Sequence, residues 1–178
     1  EVLVCGKALG NRERLQNLLD IRDLGFMPEG YVLANSQQRT PYELGHDPAA
    51  YPLETVADAA DLATRPTEGD LSEMRQLAID PEPLVRYWAA MGLLVRADQA
   101  EPDARGELIK VARGMGTDSF VYARCMANEV LARYGTEVDR KVALKSLLTE
   151  ANNEDRNIFV AMVALNSLLG TQPTKAEL

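Results

Sequence analysis

Apolar and small residues recur at helical spacing in the second half of the chain. From Val85 they stand at i, i+3, i+4, i+7 and i+8, which gathers their side chains on one face of an α-helix. The same pattern begins again 38 positions later at Ala123 and a further 37 positions later at Val160. The pattern predicts three equivalent helices, whose seam positions are Val85, Trp88, Ala89, Gly92 and Leu93; Ala123, Met126, Ala127, Val130 and Leu131; and Val160, Val163, Ala164, Ser167 and Leu168.

A second set of amphipathic segments alternates with these helices at about the same interval. The linkers carry the Pro, Gly and Asp typical of turns; Asp80 is predicted to cap a helix that begins at Pro81, and Gly135 to end a helix in the left-handed conformation. A two-helix unit seen three times predicts an all-α fold, a right-handed α-solenoid. The second set comprises Leu71, Met74 and Ala78; Leu108, Val111, Ala112 and Met115; and Leu144, Leu147, Leu148 and Ala151.

The residues before the repeats follow no such period. Leu15, Leu18 and Leu19 predict one short helix, whereas the prolines between residues 39 and 54 predict an extended, irregular segment. A helix around Val56 suits the role of covering the open end of the stack. We therefore expect a partly irregular strap over 1–51 and a solenoid over 52–178, with helix pairs at about 70–95, 104–134 and 139–170.

Charged residues keep a fixed phase to the repeated helices. An aspartate precedes each helix, as Asp80, Asp118 and Asp155, and Arg86 and Arg124 follow the first two by six residues. The third copy has an alanine at the arginine position. This period and phase resemble HEAT and HEAT-like repeats, in which stacked aspartates and arginines form a ladder along the inner helices. The resemblance implies that these five residues are structural and that the ladder ends at the last repeat.

Three other features admit a chemical and a structural interpretation. Trp88, the only tryptophan, could stack on a ligand, but its register with the seam of the other copies favours packing in the core. Gly114 and Gly116 lack the strand and the lysine of a phosphate-binding loop and favour a helix end. The acidic run at 152–156 favours helix capping over a metal site.

Composition narrows the classes of partner. The 178 residues have a formal net charge of −8 and no Lys/Arg-rich run, which argues against nucleic acid. No apolar run approaches the roughly 20 residues of a membrane span, and the N-terminal ten residues lack the basic region of an export signal. Cys5 and Cys125 do not form a Cys-x-x-Cys unit, so two thiols are expected, although a bridge between them stays open.

Two non-repetitive stretches carry a second resemblance. IRDLGFMPEG at 21–30 and TPYELGHDPAAYPLE at 40–54, followed by PLVRYWAAMGLL at 83–94, are similar to the C-terminal tail of bacterial sulfatases related to arylsulfatases and heparan N-sulfatases. The similarity spans about 20–169. It implies a parent protein with a preceding α/β catalytic domain of the alkaline-phosphatase type, a formylglycine nucleophile and a divalent cation, calcium. An exported parent would be periplasmic or extracytoplasmic.

The sulfatase signature itself is missing from this sequence. The nucleophile of that family lies in Cys/Ser-x-Pro-x-Arg, and neither Cys5 nor Cys125 begins such a motif. We therefore expect no catalytic, cofactor or metal site in this chain. The expected function is a noncatalytic accessory domain that packs on the catalytic domain and shapes substrate access. The alternative is a free-standing HEAT-like scaffold that binds a protein or peptide.

His46 is the only histidine and adjoins Asp47, so an acid–base pair can be imagined. Neighbouring loop residues often point apart, and no Ser or Cys nucleophile accompanies them, so a loop-capping or surface role is favoured. The irregular strap offers Tyr42, His46 and Tyr51 as candidate contacts with the missing domain.

Overall fold

The structure is a computed structural model that describes residues 3–4, 7–8, 39–40, 43–44, 47, 49–64, 71–152 and 158–177. The chain divides into two compact units, Glu1–Leu62 and Ala63–Leu178.

The first unit contains a small antiparallel strand pair and most of one helix. Strands β1, Leu3–Val4, and β2, Lys7–Ala8, pair with Leu3 opposite Ala8. Helix α1 spans Leu53–Thr64, so its last two residues fall in the second unit. Leu44 is buried in the turn that precedes it.

The second unit is built of helices that pack on one another in chain order. Each helix contacts the next, and α3, α5 and α7 also pack side by side, because α3 contacts α5 and α5 contacts α7. Helix α5 contacts four other helices and is the centre of this unit. The arrangement is all-α and solenoid-like, which confirms the predicted fold class. The helices are α2 Leu71–Leu77, α3 Pro83–Gln99, α4 Pro102–Met115, α5 Val121–Tyr134, α6 Glu137–Ala151 and α7 Ile158–Thr171.

Burial follows the predicted seam. Thirteen of the fifteen seam positions are buried, and the other two, Trp88 and Val163, are half-buried. The alanines at the centre of the seam, Ala89, Ala127 and Ala164, are fully buried, and their small side chains let adjacent helices approach closely. Packing of the inner helices therefore supplies the core of this unit.

The start of α3 differs from the prediction. The helix begins at Pro83, and Glu82 caps it by accepting a hydrogen bond from the Leu84 N–H at 3.2 Å. Asp80 lies two residues earlier, where its carboxylate accepts from the Glu82 N–H at 2.8 Å. The expectation that Asp80 caps a helix beginning at Pro81 was therefore wrong. Glu82 precedes a proline and is extended, which suits an N-cap, whereas Asp80 shapes the turn before it.

Gly135 also differs from the prediction. It follows α5 with φ −74° and ψ −175°, which is extended backbone and not the left-handed conformation. The reason for glycine is a close approach: a Cβ at this position would lie 2.5 Å from the Leu131 carbonyl oxygen and 2.6 Å from the Asp139 Cβ. The missing side chain lets α6 begin directly after α5.

Candidate functional site

Charged side chains join successive helical units in a set that we call the ladder: Asp80, Arg86, Asp118, Arg124 and Glu150. Its first contact joins α3 to the turn before α5. Arg86 donates from Nε to Asp118 Oδ2 at 2.8 Å and from Nη2 to Asp118 Oδ1 at 3.0 Å. Both side chains are largely buried, at 14% and 8% exposure, and the Asp118 carboxylate raises the pKa of Arg86.

The backbone around each arginine repeats the same geometry. Arg86 Nη1 donates to the carbonyl oxygen of Asp80 at 2.9 Å, six residues upstream. Arg124 Nη1 donates to the carbonyl oxygen of Asp118, also six residues upstream. Asp118 accepts from the Phe120 N–H at 2.7 Å, as Asp80 accepts from the residue two positions on. The two copies thus share these contacts with the local backbone.

The second contact of the ladder uses a carboxylate that the repeat pattern does not predict. Arg124 Nη2 donates to Glu150 Oε1 at 2.5 Å, in the last turn of α6. Asp155, the predicted third aspartate, lies outside the described residues. Glu150 is separated from Arg124 by 26 positions, so no local signal in the sequence pairs them.

Two further polar residues of α5 are buried and were missed by sequence reasoning. The Asn128 Nδ2 atom lies 3.0 Å from the Gly116 carbonyl oxygen, at the end of α4, and 3.3 Å from Ser146 Oγ on α6. This amide therefore ties three helices together, and its donor protons are satisfied inside the fold. The only sign of its burial in the sequence is its place between two seam positions, Ala127 and Val130.

Glu129 is the second buried polar residue of α5. A Cβ on Gly170 of α7 would lie 2.3 Å from Glu129 Oε1, so the glycine makes room for the carboxyl. Burial raises the pKa of Glu129, although Ser167 and Arg133 oppose this shift through hydrogen bonding and charge. Arg133 Nη1 is 3.4 Å from the carboxyl oxygen. Such a carboxyl stabilises the fold best when it is protonated.

A smaller cluster joins the end of α3 to the end of α5. Asp98 Oδ1 accepts from Arg133 Nη2 at 2.6 Å and from the Tyr134 hydroxyl. The Arg105 guanidinium lies 4.9 Å from the centre of the Tyr134 ring. Burial, together with the bond to Asp98, raises the pKa of Tyr134 to about 12. These groups bond to one another across three helices, as the ladder does.

Trp88 packs against its neighbour on α3. Its ring meets that of Tyr87 edge to face, with centroids 5.4 Å apart. The indole side chain is half-buried, and its N–H has no acceptor among the residues that the structure describes.

Asp47 has loop contacts. It accepts from the Ala49 N–H at 2.9 Å and from Arg39, and both bonds lower its pKa. His46 and Tyr42 lie outside the described residues. Tyr51 is 1% exposed, so its ring is inside the fold and does not lie at a surface.

A groove of about 610 Å³ runs along α6 beside the C-terminal turn. Leu144 and Leu148 form its apolar floor, and Lys141 and Lys145 stand at its edge. Arg140 holds the C-terminal turn in place, because its guanidinium bonds both carboxylate oxygens of Glu177, at 2.5 and 3.1 Å. This bond lowers the pKa of Glu177 to about 2.

Within the described ranges, no three His, Cys, Asp or Glu side chains lie together as metal ligands. None of the described helices is long and apolar enough to cross a membrane. Cys125 carries a buried thiol, and Cys5 lies outside the described residues.

Comparison with protein-family models, with curated proteins and with solved structures finds no match to this chain.

Proposed function

We propose that this chain is a noncatalytic helical scaffold, the accessory region of a sulfatase-like hydrolase, which packs on a catalytic domain and shapes access to its substrate. The observation that supports a scaffold is the bidentate contact of Arg86 with Asp118. This contact gives both charged groups a structural role, although either could otherwise take part in a reaction. The assignment to a sulfatase rests on the resemblance of the strap and the repeats in the sequence.

A scaffold of this kind must keep its helices in register. Hydrophobic seams of alanine and valine pack well but tolerate small shifts, since their contacts are not directional. Charge-assisted hydrogen bonds between planar groups are directional, and Arg86 and Arg124 each make such bonds to the next helical unit. The ladder therefore fixes the stacking of α3 on α5 and of α5 on α6.

The alternative proposal is a free-standing HEAT-like scaffold for a protein or peptide. The groove along α6 favours it, because the apolar side chains of Leu144 and Leu148 in its lining suit an apolar side chain of a peptide. Two lysines and two glutamates also line the groove, Lys141, Lys145, Glu137 and Glu177, and could pair with polar groups of such a peptide.

The reading frame that encodes the chain decides between these proposals. A Cys/Ser-x-Pro-x-Arg motif upstream in the same frame supports the accessory role, and the separately produced catalytic region should then bind this chain in a calorimetric titration. A frame without the motif supports the free-standing scaffold. In either case the purified chain should not hydrolyse an aryl sulfate in the presence of calcium. Turnover that persists through repeated purification would overturn both proposals.

A further inference from the structure

The last helix of the chain carries no charged residue. All 14 residues of α7 are apolar, small or uncharged polar, with neither acidic nor basic side chains. One face, which includes Val160, Ala164 and Leu168, is buried against α5 and α6. A surface helix is ordinarily polar on its opposite face, whereas an apolar opposite face is typical of a helix covered on both sides.

Four large apolar side chains line that opposite face. Ile158 is 70% exposed, Leu169 is 75% exposed, and Met162 and Leu165 are each 50% exposed. Their spacing of four, three and four residues puts them in one stripe along the helix, because these offsets stay close to whole turns. Monomeric proteins rarely expose continuous apolar patches larger than a few hundred Å².

The stripe is symmetric about its own midpoint. When a second copy of α7 runs antiparallel to the first, Ile158 faces Leu169 of the other copy and Met162 faces its Leu165. Both pairs then recur on the other side of the two-fold axis, as a closed two-fold interface requires. The same spacing is that of the core positions of two-stranded coiled coils, where such side chains interdigitate.

Charge makes α7 the surface on which two copies of this protein can meet with least repulsion. Each chain has a formal charge of −8, so two copies repel one another wherever their acidic faces meet. Helix α7 brings no charged side chain into the contact, and the pairing therefore buries apolar surface without burying charge.

We propose that α7 is a self-association surface, on which two copies of this chain pair antiparallel through Ile158, Met162, Leu165 and Leu169. Sedimentation velocity of the full chain over a concentration series should then show a species of twice the 19.6 kDa mass. Leu165→Glu should weaken this dimer on the order of tenfold or more, because it places a carboxylate in an apolar contact. Ile79→Glu, at an 82% exposed apolar position outside the stripe, is the matched control and should leave the dimer unchanged.

Two measurements keep the proposal testable if Leu165→Glu also perturbs folding. The Met162→Lys chain mixed with the Leu165→Glu chain should recover the dimer, since the two new charges face each other in the antiparallel pair. In a Cys5→Ser background, Ile158→Cys and Leu169→Cys chains should form a disulfide with each other faster than either forms one with itself. A monomer at every concentration, a dimer unaffected by Leu165→Glu, or cross-linking with no preference for the mixed pair would overturn the proposal.

Discussion

At the residue scale, Arg86 and Arg75 make the same kind of bond in different surroundings. Both reach a carboxylate on another part of the stack, Arg86 to Asp118 and Arg75 to Glu107 at 2.7 Å. The first pair is 14% and 8% exposed, whereas the second is 52% and 44% exposed. Water screens the exposed pair, so only the buried one should matter much to stability.

We predict that Arg86→Met lowers the free energy of unfolding by about 3 kcal/mol, because it leaves the Asp118 carboxylate buried without its cation. Arg75→Met should change it by about 0.5 kcal/mol or less. Urea denaturation followed by circular dichroism measures both. Equal losses in the two variants would show that the ladder does not hold the stack.

Glu129 should make stability depend on pH in the opposite sense to the exposed carboxylates. Its pKa is raised by burial, so the folded state binds a proton more readily than the unfolded state. The free energy of unfolding should therefore fall as the pH rises from the ordinary glutamate range through the raised pKa. Glu129→Gln, which keeps the shape and cannot ionise, should raise Tm at pH 8 and leave it nearly unchanged at pH 4. A lower Tm at pH 8 would contradict this account.

At the element scale, Gly135 and Gly106 differ in the space that their surroundings leave for a side chain. Gly135 has no space for a Cβ, whereas a Cβ on Gly106, within α4, would meet nothing within 4 Å. Gly106→Ala should stabilise the protein by about 0.5–1 kcal/mol through helix propensity. Gly135→Ala should destabilise it, since α5 and α6 must move apart. Thermal denaturation of both variants tests this, and a stabilising Gly135→Ala would contradict the close approach.

The start of α6 depends on a reciprocal cap. Asp139 N–H donates to Thr136 Oγ1 at 3.2 Å, and Thr136 N–H donates to Asp139 Oδ2 at 2.8 Å. Thr136→Ala should cost about 1 kcal/mol of unfolding free energy. Thr149→Ala on the same helix is the control and should cost little, because its hydroxyl only bonds the Lys145 carbonyl one turn back. Chemical denaturation measures the free energy of unfolding of both variants. Equal losses would show that the cap does not stabilise the start of α6.

The same cap gives an acid dependence. Arg113 and Thr136 hold the pKa of Asp139 well below its usual range. The folded state therefore loses this stabilisation as the pH falls from the ordinary aspartate value toward the depressed one. Asp139→Asn should therefore lower the free energy of unfolding at pH 7. The difference in this free energy between the variant and the unaltered chain should shrink as the pH falls.

At the scale of the whole molecule, the period of apolar residues predicted more of the fold than the charged and polar residues did. The period of the seam fixed which helix faces are buried, since helical spacing alone determines which side chains share a face. It also placed Arg86 and Arg124 at equivalent phases of the repeat, and likewise Asp80 and Asp118. The pairing of Arg124 with Glu150 and the burial of Asn128 depend on how separate helices meet, and no local pattern in the chain carries that information.

The structure corrects two predicted helix boundaries, the start of α3 and the end of α5. In both cases the local sequence fits either alternative. DPEP offers two acidic residues, each before a proline, and only the second pair begins the helix. Gly135 fits a left-handed helix end and a close approach equally well in sequence, and the contact with Asp139 decides between them. The predicted site residues Asp155, Tyr42 and His46 lie outside the described residues and stay predictions.

If the helices of the second unit form one coupled stack, a cavity in one helix should destabilise its neighbours. Leu147, on α6, is fully buried, and Leu147→Ala should cost about 3 kcal/mol. Val142→Ala, at an exposed position on the same helix, is the control. Hydrogen exchange followed by mass spectrometry then measures the amide exchange rate in each helix of the full chain. We predict that Leu147→Ala speeds exchange in α5 as well as in α6 and α7, by on the order of a hundredfold. Faster exchange confined to α6, with α5 as well protected as before, would contradict the account.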